Sequence, residues 1–129
     1  MNLNQVSLPA LDLVSSIDFY QRLGLKLIVE TEIYARFELP DGDATLSLFA
    51  SDSVGAGPHV YFECADLDQR VAALKEQGMV FDDGPENKRW LWREASLRDP
   101  AGNAICLYWA GSNRKDPPWR IRTEAKQAE

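Results

Sequence analysis

Residues 13–24, LVSSIDFYQRLG, form the stretch that decides the fold, because residues 67–78, LDQRVAALKEQG, repeat its pattern 54 positions later. Both segments place apolar side chains three and four residues apart, which is the spacing of the buried face of a helix. These apolar residues are Leu13, Ile17 and Tyr20 in the first segment and Leu67, Val71 and Leu74 in the second. The sequence therefore predicts two equivalent helices, each lying on a sheet.

Both predicted helices have start and stop signals. Asp12 and Asp66 stand directly before them, where a carboxylate can accept hydrogen bonds from the free amides of the first turn. Gly24 and Gly78 stand at their ends, where a left-handed residue terminates a helix. The chain is thus expected to be an internal repeat.

The segments around each helix alternate between apolar and polar residues, as strands with one buried face do. One strand is predicted before each helix and three after it. The predicted strands are Gln5–Ala10, Lys26–Glu30, Tyr34–Leu39 and Thr45–Ala50, then His59–Cys64, Val80–Asp82, Trp92–Arg98 and Ala104–Trp109. Turn sequences, PDGD at 40–43 and DPAGN at 99–103, join the last two strands of each set. The order βαβββ therefore occurs twice, in an α+β fold.

Length and composition favour one domain. A chain of 129 residues that is 45% hydrophobic is long enough to bury a single core. We assign module one to 3–52 and module two to 57–110, within a single domain at 1–111, because the connector between the modules is too short to separate them. Residues 112–129 are predicted to be a C-terminal extension that frays at its end.

The extension is not uniformly polar. Trp119 and Ile121 follow a Pro-Pro bend, and a disordered tail has no need of such apolar residues. We expect them to pack on the body of the protein or on a partner subunit.

Charge and hydropathy exclude several classes of function. The net charge of −6 argues against binding to nucleic acid, whose phosphates are held by clustered Lys and Arg. No apolar stretch approaches the ~20 residues of a membrane helix, and the N-terminus has no signal-peptide pattern, so a cytoplasmic protein with no membrane partner is expected. In that compartment Cys64 and Cys106 are expected to be free thiols.

Two motifs now support a resemblance to a family. The run LPALDLVSSIDFYQRLGLKLI (residues 8–28) resembles the opening of the glyoxalase, bleomycin-resistance and extradiol-dioxygenase superfamily, the vicinal oxygen chelate proteins. RDPAGNAICLY (residues 98–108) resembles its closing hairpin, and the likeness covers about residues 3–110. The resemblance implies that each module forms a curved, mixed-sheet half-barrel whose cup holds a metal or a ligand, and that the protein is a homodimer.

The resemblance also implies four positions for metal ligands, which are Gln5, Ser47, His59 and Cys106 in this chain. Gln and Ser are weak neutral donors, and one thiol with one imidazole matches none of the usual sites for divalent ions. A glyoxalase I needs carboxylates here, and an extradiol dioxygenase needs two His and one Glu around iron. We therefore expect no metal, and keep a divalent ion near Gln5 and His59 as the alternative.

The cup is instead predicted to bind an organic molecule. Tyr61 and Glu63 share a strand face with His59, and the segment KRWLWREASLRD (residues 88–99) offers two indoles on one face and Arg93 on the other. With Tyr34, Phe37 and Phe49 the indoles would form an aromatic slot, and an Arg would clamp a carboxylate or phosphate. The predicted ligand-binding residues are Gln5, Ser47, Phe49, His59, Tyr61, Glu63, Trp90, Trp92, Arg93 and Cys106.

Three functions follow from this interpretation. The favoured one is a small-molecule-binding protein with an aromatic-lined cup and a degenerate metal site. The first alternative is a divalent-metal-dependent lyase, isomerase or dioxygenase acting on a small organic substrate, and the second is a partner protein whose cup is filled by its own side chains. The sequence leaves open whether the chain is an enzyme, which indole faces the cup, and whether the modules pair within one chain or across a dimer.

Overall fold

The structure, a computed structural model that describes residues 3–55, 57 and 59–122, contains two βαβββ modules in tandem. Module one consists of β1 (Gln5–Ala10), α1 (Leu13–Arg22), β2 (Lys26–Glu30), β3 (Tyr34–Glu38) and β4 (Thr45–Ala50). Module two consists of β5 (Val60–Glu63), α2 (Leu67–Glu76), β6 (Phe81–Asn87), β7 (Arg93–Arg98) and β8 (Ala104–Trp109). A short 3-10 helix, Gly111–Arg114, follows. The predicted α+β repeat is confirmed.

Each module forms its own four-stranded mixed sheet. The strand orders are β1-β4-β3-β2 and β5-β8-β7-β6, with the first strand of each module parallel to the last and the other pairs antiparallel. Within the described part of the chain the two sheets stay open and separate, and neither closes into a barrel. The first and last strands of each module therefore lie side by side at one edge of their sheet.

The helices begin and end almost where the sequence predicts. Asp12 caps α1 by accepting a hydrogen bond from the Ser15 amide at 3.5 Å, but the Asp66 side chain makes no such bond at the start of α2, so that predicted cap is wrong. Gly24 and Gly78 both have positive φ and follow the last turns, as predicted. The predicted glycines therefore mark the C-terminal ends of both helices, whereas a capping side chain is present only at the N-terminal end of α1.

One apolar core serves both modules. It takes its buried residues from the helix-covered face of each sheet and from both helices. Phe37 belongs to this core, where its ring centroid lies 5.8 Å from that of Tyr20, so its predicted place in a ligand slot is wrong. Alternation explains the error, because Phe37 and Tyr34 are three residues apart on one strand and face opposite ways. We call the face of each sheet that is turned away from its helix the outer face.

A buried hydrogen-bond network joins the modules. The Tyr20 hydroxyl of α1 donates to Asp99 Oδ2 at 2.8 Å, across the core from one module to the other. Asn103 Nδ2 donates both to Asp99 Oδ2 at 2.8 Å and to the Pro9 carbonyl of β1 at 2.9 Å. The amides of Ala101 and Asn103 donate to Asp99 Oδ1, which completes the turn between β7 and β8. Burial and the Asp99 carboxylate together raise the pKa of Tyr20.

Three strands of module two depart from their predicted limits, and β5 is one residue shorter at each end than predicted. β6 runs from Phe81 to Asn87, well past the predicted end at Asp82, because its pairing with β7 continues through two register shifts. β7 begins at Arg93 and not at Trp92, since Leu91 has a φ of 68° and turns the chain just before the strand. Both features raise the local twist of the second sheet.

The end of the described chain does not pack on the body. Trp119 is 59% exposed and Ile121 is 79% exposed, so the expectation that they dock within this chain is wrong, while docking on a partner stays a prediction. The predicted fraying of the last residues falls on 123–129, outside the described residues. Among the helices of the described segments, none combines the length and apolarity that a membrane span requires.

Removing the Tyr20 hydroxyl tests the network between the modules. Tyr20→Phe leaves the buried Asp99 carboxylate with one donor fewer, and we expect a loss of about 1.5–3 kcal/mol in the free energy of unfolding. Urea denaturation measures it. Tyr61→Phe is the matched control, because no hydrogen bond of that hydroxyl exists among the described residues, and it should change stability by less than about 0.5 kcal/mol. Equal effects of the two variants would contradict a network that holds the modules together.

Gly84 tests the close approach of β6 to β7. A Cβ atom at Gly84 would lie 2.2 Å from the Glu94 carbonyl oxygen and 2.7 Å from Ala95 Cα, and its φ is +87°. We expect Gly84→Ala to cost about 3 kcal/mol or more, from backbone strain and overlap together. Gly42→Ala is the control: its φ is +76° with no atom within 4 Å, so only the strain of about 1–2 kcal/mol applies. Thermal or urea unfolding of both variants should separate these two costs.

Candidate functional site

Aromatic side chains gather on the outer face of the second sheet. The rings of Trp92 and Tyr108 stack with centroids 4.5 Å apart, and Tyr61 meets both edge to face, at 6.0 and 5.7 Å. His59 stacks on Tyr61 at 6.5 Å. Alternation places Tyr61 of β5 and Tyr108 of β8 on this face, while Trp92 reaches it from the turn before β7. This answers which indole joins the cluster.

A cavity of about 430 Å³ lies beside the aromatic rings. All of its lining residues come from module two, and they include His59, Tyr61, Glu94 and Cys106. The volume falls in the range of sites that enclose small organic molecules. Tyr61 is 48% exposed and forms part of the wall, so a bound molecule would cover apolar ring surface that now faces water.

Glu94 occupies the polar side of this cavity. It accepts a hydrogen bond from Trp90 Nε1 at 2.6 Å, and the Cys106 thiol lies 3.7 Å from its other carboxylate oxygen. Burial and the neighbouring Glu94 charge raise the pKa of Cys106 to about 12, so the thiol keeps its proton at neutral pH. Burial, with Cys106 and Glu94, also raises the pKa of Tyr61. Asp82, Asp83 and Arg98 also line the cavity, which therefore presents three carboxylates, one guanidinium and a protonated thiol.

Glu63 holds the segment that follows β8. Its Oε2 accepts hydrogen bonds from the amides of Ala110 and Gly111, both at 3.1 Å, and Arg114 Nε lies 3.8 Å from Oε1. The carboxylate thus anchors the start of the 3-10 helix to β5. His59 beside the cavity is exposed, and its ring contact is with Tyr61.

The remaining predicted residues lie elsewhere. Gln5 Oε1 accepts a hydrogen bond from the Thr45 hydroxyl at 2.8 Å, and Ser47 Oγ lies 2.5 Å from Ser7 Oγ, all on the first sheet. Phe49 is partly exposed at the end of β4. Arg93 lies on the helix side of the second sheet, as alternation predicted, and its guanidinium makes two hydrogen bonds with the Asp68 carboxylate of α2, at 2.8 and 3.0 Å. That ion pair raises the pKa of Arg93 and lowers the pKa of Asp68.

The four positions implied for a metal therefore divide between the sheets, with Gln5 and Ser47 on the first and His59 and Cys106 on the second. Their donors fit a divalent ion poorly, because the Gln5 amide oxygen accepts from Thr45, the Ser47 hydroxyl is hydrogen-bonded to Ser7, and the Cys106 thiol keeps its proton. No group of three or more His, Cys, Asp or Glu side chains in the described part of the chain is arranged to hold a metal ion.

Sequence reasoning did not select Tyr108 or Arg36. Tyr108 is two residues beyond Cys106 on β8, so alternation alone was a sufficient signal for it. Arg36 lies on the outer face of the first sheet, where its Nε donates to the Tyr34 hydroxyl oxygen at 2.9 Å. No spacing in the sequence marks that pair, because it depends on the side-chain positions in the folded sheet.

Solved structures share this fold. The chain is similar to a glyoxalase/bleomycin resistance protein/dioxygenase from Nocardioides, with a TM-score of 0.73 and 20% identity over 95% of this chain and 90% of that one. It is also similar to a lactoylglutathione lyase from Agrobacterium tumefaciens, with a TM-score of 0.72 and 19% identity over 93% and 97% of the two chains. An integron cassette protein from the mobile metagenome of Halifax Harbour sewage outfall gives 0.74 and 19% over 84% and 97%. At these identities the likeness shows the fold alone.

Comparison of the sequence with family models shows the family as well as the fold. A search of curated proteins finds no match. The model of the Glyoxalase/Bleomycin resistance protein/Dioxygenase superfamily, however, matches residues 2–107, most of the chain. Together with the two βαβββ modules, this match shows that the chain belongs to the glyoxalase/bleomycin resistance protein/dioxygenase superfamily.

Proposed function

We propose that the protein binds a small organic molecule against the aromatic cluster of the second sheet, without a metal ion. The observation that carries the proposal is the cavity of about 430 Å³ beside the aromatic rings and half-exposed Tyr61. Aromatic rings that meet edge to face leave a ring face available to a planar ligand, and such contacts add about 0.5–1.5 kcal/mol beyond the burial of area. Glu94 and the Cys106 thiol would supply the polar contacts.

The donor chemistry favours binding over metal catalysis. A lyase, isomerase or dioxygenase of the superfamily type would need an ion held by Gln5, His59 and further ligands. The Cys106 proton would have to leave a group whose pKa is about 12, and Glu94 already receives hydrogen bonds from Trp90 and Cys106. A metal-dependent enzyme therefore remains the alternative. The melting experiment with divalent ions described below distinguishes it from a metal-free binding protein.

We also propose that the protein is a cytoplasmic homodimer. Trp119 and Ile121 expose apolar surface at the end of the described chain, and a second copy is the simplest cover for it. Cys64 and Cys106 are both free thiols, which fits a reducing compartment. The net charge of −6 disfavours nucleic acid as a partner.

Loss of the Tyr61 ring should weaken ligand binding without unfolding the protein. With 2-naphthol as a neutral planar probe, we expect Tyr61→Ala to raise the Kd about tenfold, which corresponds to roughly 1.4 kcal/mol. Isothermal titration calorimetry measures it. Trp119→Ala is the control, since that exposed indole belongs to the C-terminal extension and not to the cavity. Unchanged affinity in Tyr61→Ala, or no binding by the wild type, would count against the proposal.

Divalent ions should not stabilise the protein. Melting is followed with Ni, Mn, Fe, Zn or Co ions added to protein purified without chelator, and we expect no shift in Tm. A true site would stabilise the native state by about 2.7 kcal/mol at a hundredfold excess over Kd, so it would be visible. A stoichiometric ion whose binding disappears in His59→Ala would establish the metal-dependent alternative instead.

A further inference from the structure

We infer that the outer face of the first sheet holds an oxyanion site, in which Arg36 and Tyr34 bind the carboxylate of a small organic molecule. The site is separate from the aromatic cluster, which lies on the other sheet. It therefore does not depend on the function proposed above.

The arrangement of Arg36 and Tyr34 leaves donors free. Arg36 Nε donates to the Tyr34 hydroxyl oxygen at 2.9 Å. Within the described residues the guanidinium makes no other hydrogen bond. A guanidinium has five N–H donors and no acceptor. Its terminal N–H groups are therefore open to an acceptor from outside the described residues, and a carboxylate is the acceptor that the planar fork matches best.

No ion pair among the described residues includes Arg36, so its charge is free to attract an anion. Several other cations of the described chain also lack an ion pair, but Arg36 is partly buried on β3, an interior strand of its sheet. At such a position the attraction of an anionic ligand is screened less than at a fully exposed side chain.

Ser47 and Arg36 make the Tyr34 hydroxyl a better hydrogen-bond donor. The Ser47 hydroxyl and the Arg36 guanidinium lower the pKa of Tyr34. Because the Tyr34 oxygen already accepts from Arg36, its own proton is left for another acceptor. Ser47 is fully buried on this face, and its Oγ lies 2.5 Å from Ser7 Oγ. It is therefore a fixed polar neighbour of the phenol. The phenol and the guanidinium thus offer two kinds of donor next to each other on this face.

A pair of matched probes tests this site. Benzoate carries the carboxylate and benzamide is its neutral analogue of nearly the same shape. We expect benzoate to bind at least about tenfold more tightly than benzamide by calorimetry, and to shift the Arg36 Nε resonance in ¹⁵N NMR spectra, because hydrogen bonds to charged groups are the stronger ones. The NMR measurement uses the wild-type protein, so it does not depend on a variant that folds.

Two variants and two controls complete the experiment. Arg36→Gln should abolish the preference for benzoate, and Tyr34→Phe should weaken benzoate about tenfold. Arg22→Gln removes an exposed guanidinium that pairs with Asp18 on α1 and should change nothing. Saturating 2-naphthol should leave benzoate binding intact, which separates this site from the aromatic one. An Arg36 resonance that does not respond to benzoate, or equal benzoate binding by Arg36→Gln, would overturn the inference.

Discussion

The buried carboxylate of Asp99 is the constraint on which the rest of the structure depends. A carboxylate within a protein core is tolerated only when its oxygens are supplied with donors. Here four donors reach it: one from Tyr20 in the first helix, and three from the turn that Asp99 itself begins. Because Asn103 also holds the Pro9 carbonyl, the same turn is fixed to both the first helix and the first strand. The two motifs that carried the family resemblance, at residues 8–28 and 98–108, are therefore in direct contact.

That contact determines which surfaces remain for ligands. It holds the helix-covered faces of both sheets around one core, so that the apolar residues of those faces are used in folding. The outer faces are left with different chemistry. The second carries stacked aromatic rings, a protonated thiol and carboxylates, and the first carries a phenol, two hydroxyls and a guanidinium that has no ion pair among the described residues.

Periodicity predicted the parts of the fold that follow a regular repeat. Both helices and the strands Gln5–Ala10, Thr45–Ala50 and Ala104–Trp109 have the limits that alternation and helical spacing gave, since each buries one face against the core. β6 was missed beyond Asp82 because two register shifts break the alternation. Phe37 was misplaced for a simpler reason, as it was grouped with Tyr34 by residue type although alternation puts the two on opposite faces. Non-local pairing decides the limits of β6, and no window of sequence contains it, whereas the position of Phe37 follows from alternation within its own strand.

The candidate site shows the same division between local and non-local information. Tyr61 and Cys106 were placed correctly on one face by alternation, but the group that controls Cys106 is Glu94, twelve residues earlier on the neighbouring strand. Its negative charge opposes formation of a thiolate next to it, and burial acts in the same direction. A divalent ion would reverse this only by removing the thiol proton and drawing Glu94 away from the Trp90 indole. Glu94 thus keeps Cys106 a hydrogen-bond donor, and a thiol that keeps its proton can meet an acceptor group of an organic ligand but is a poor ligand for a divalent ion.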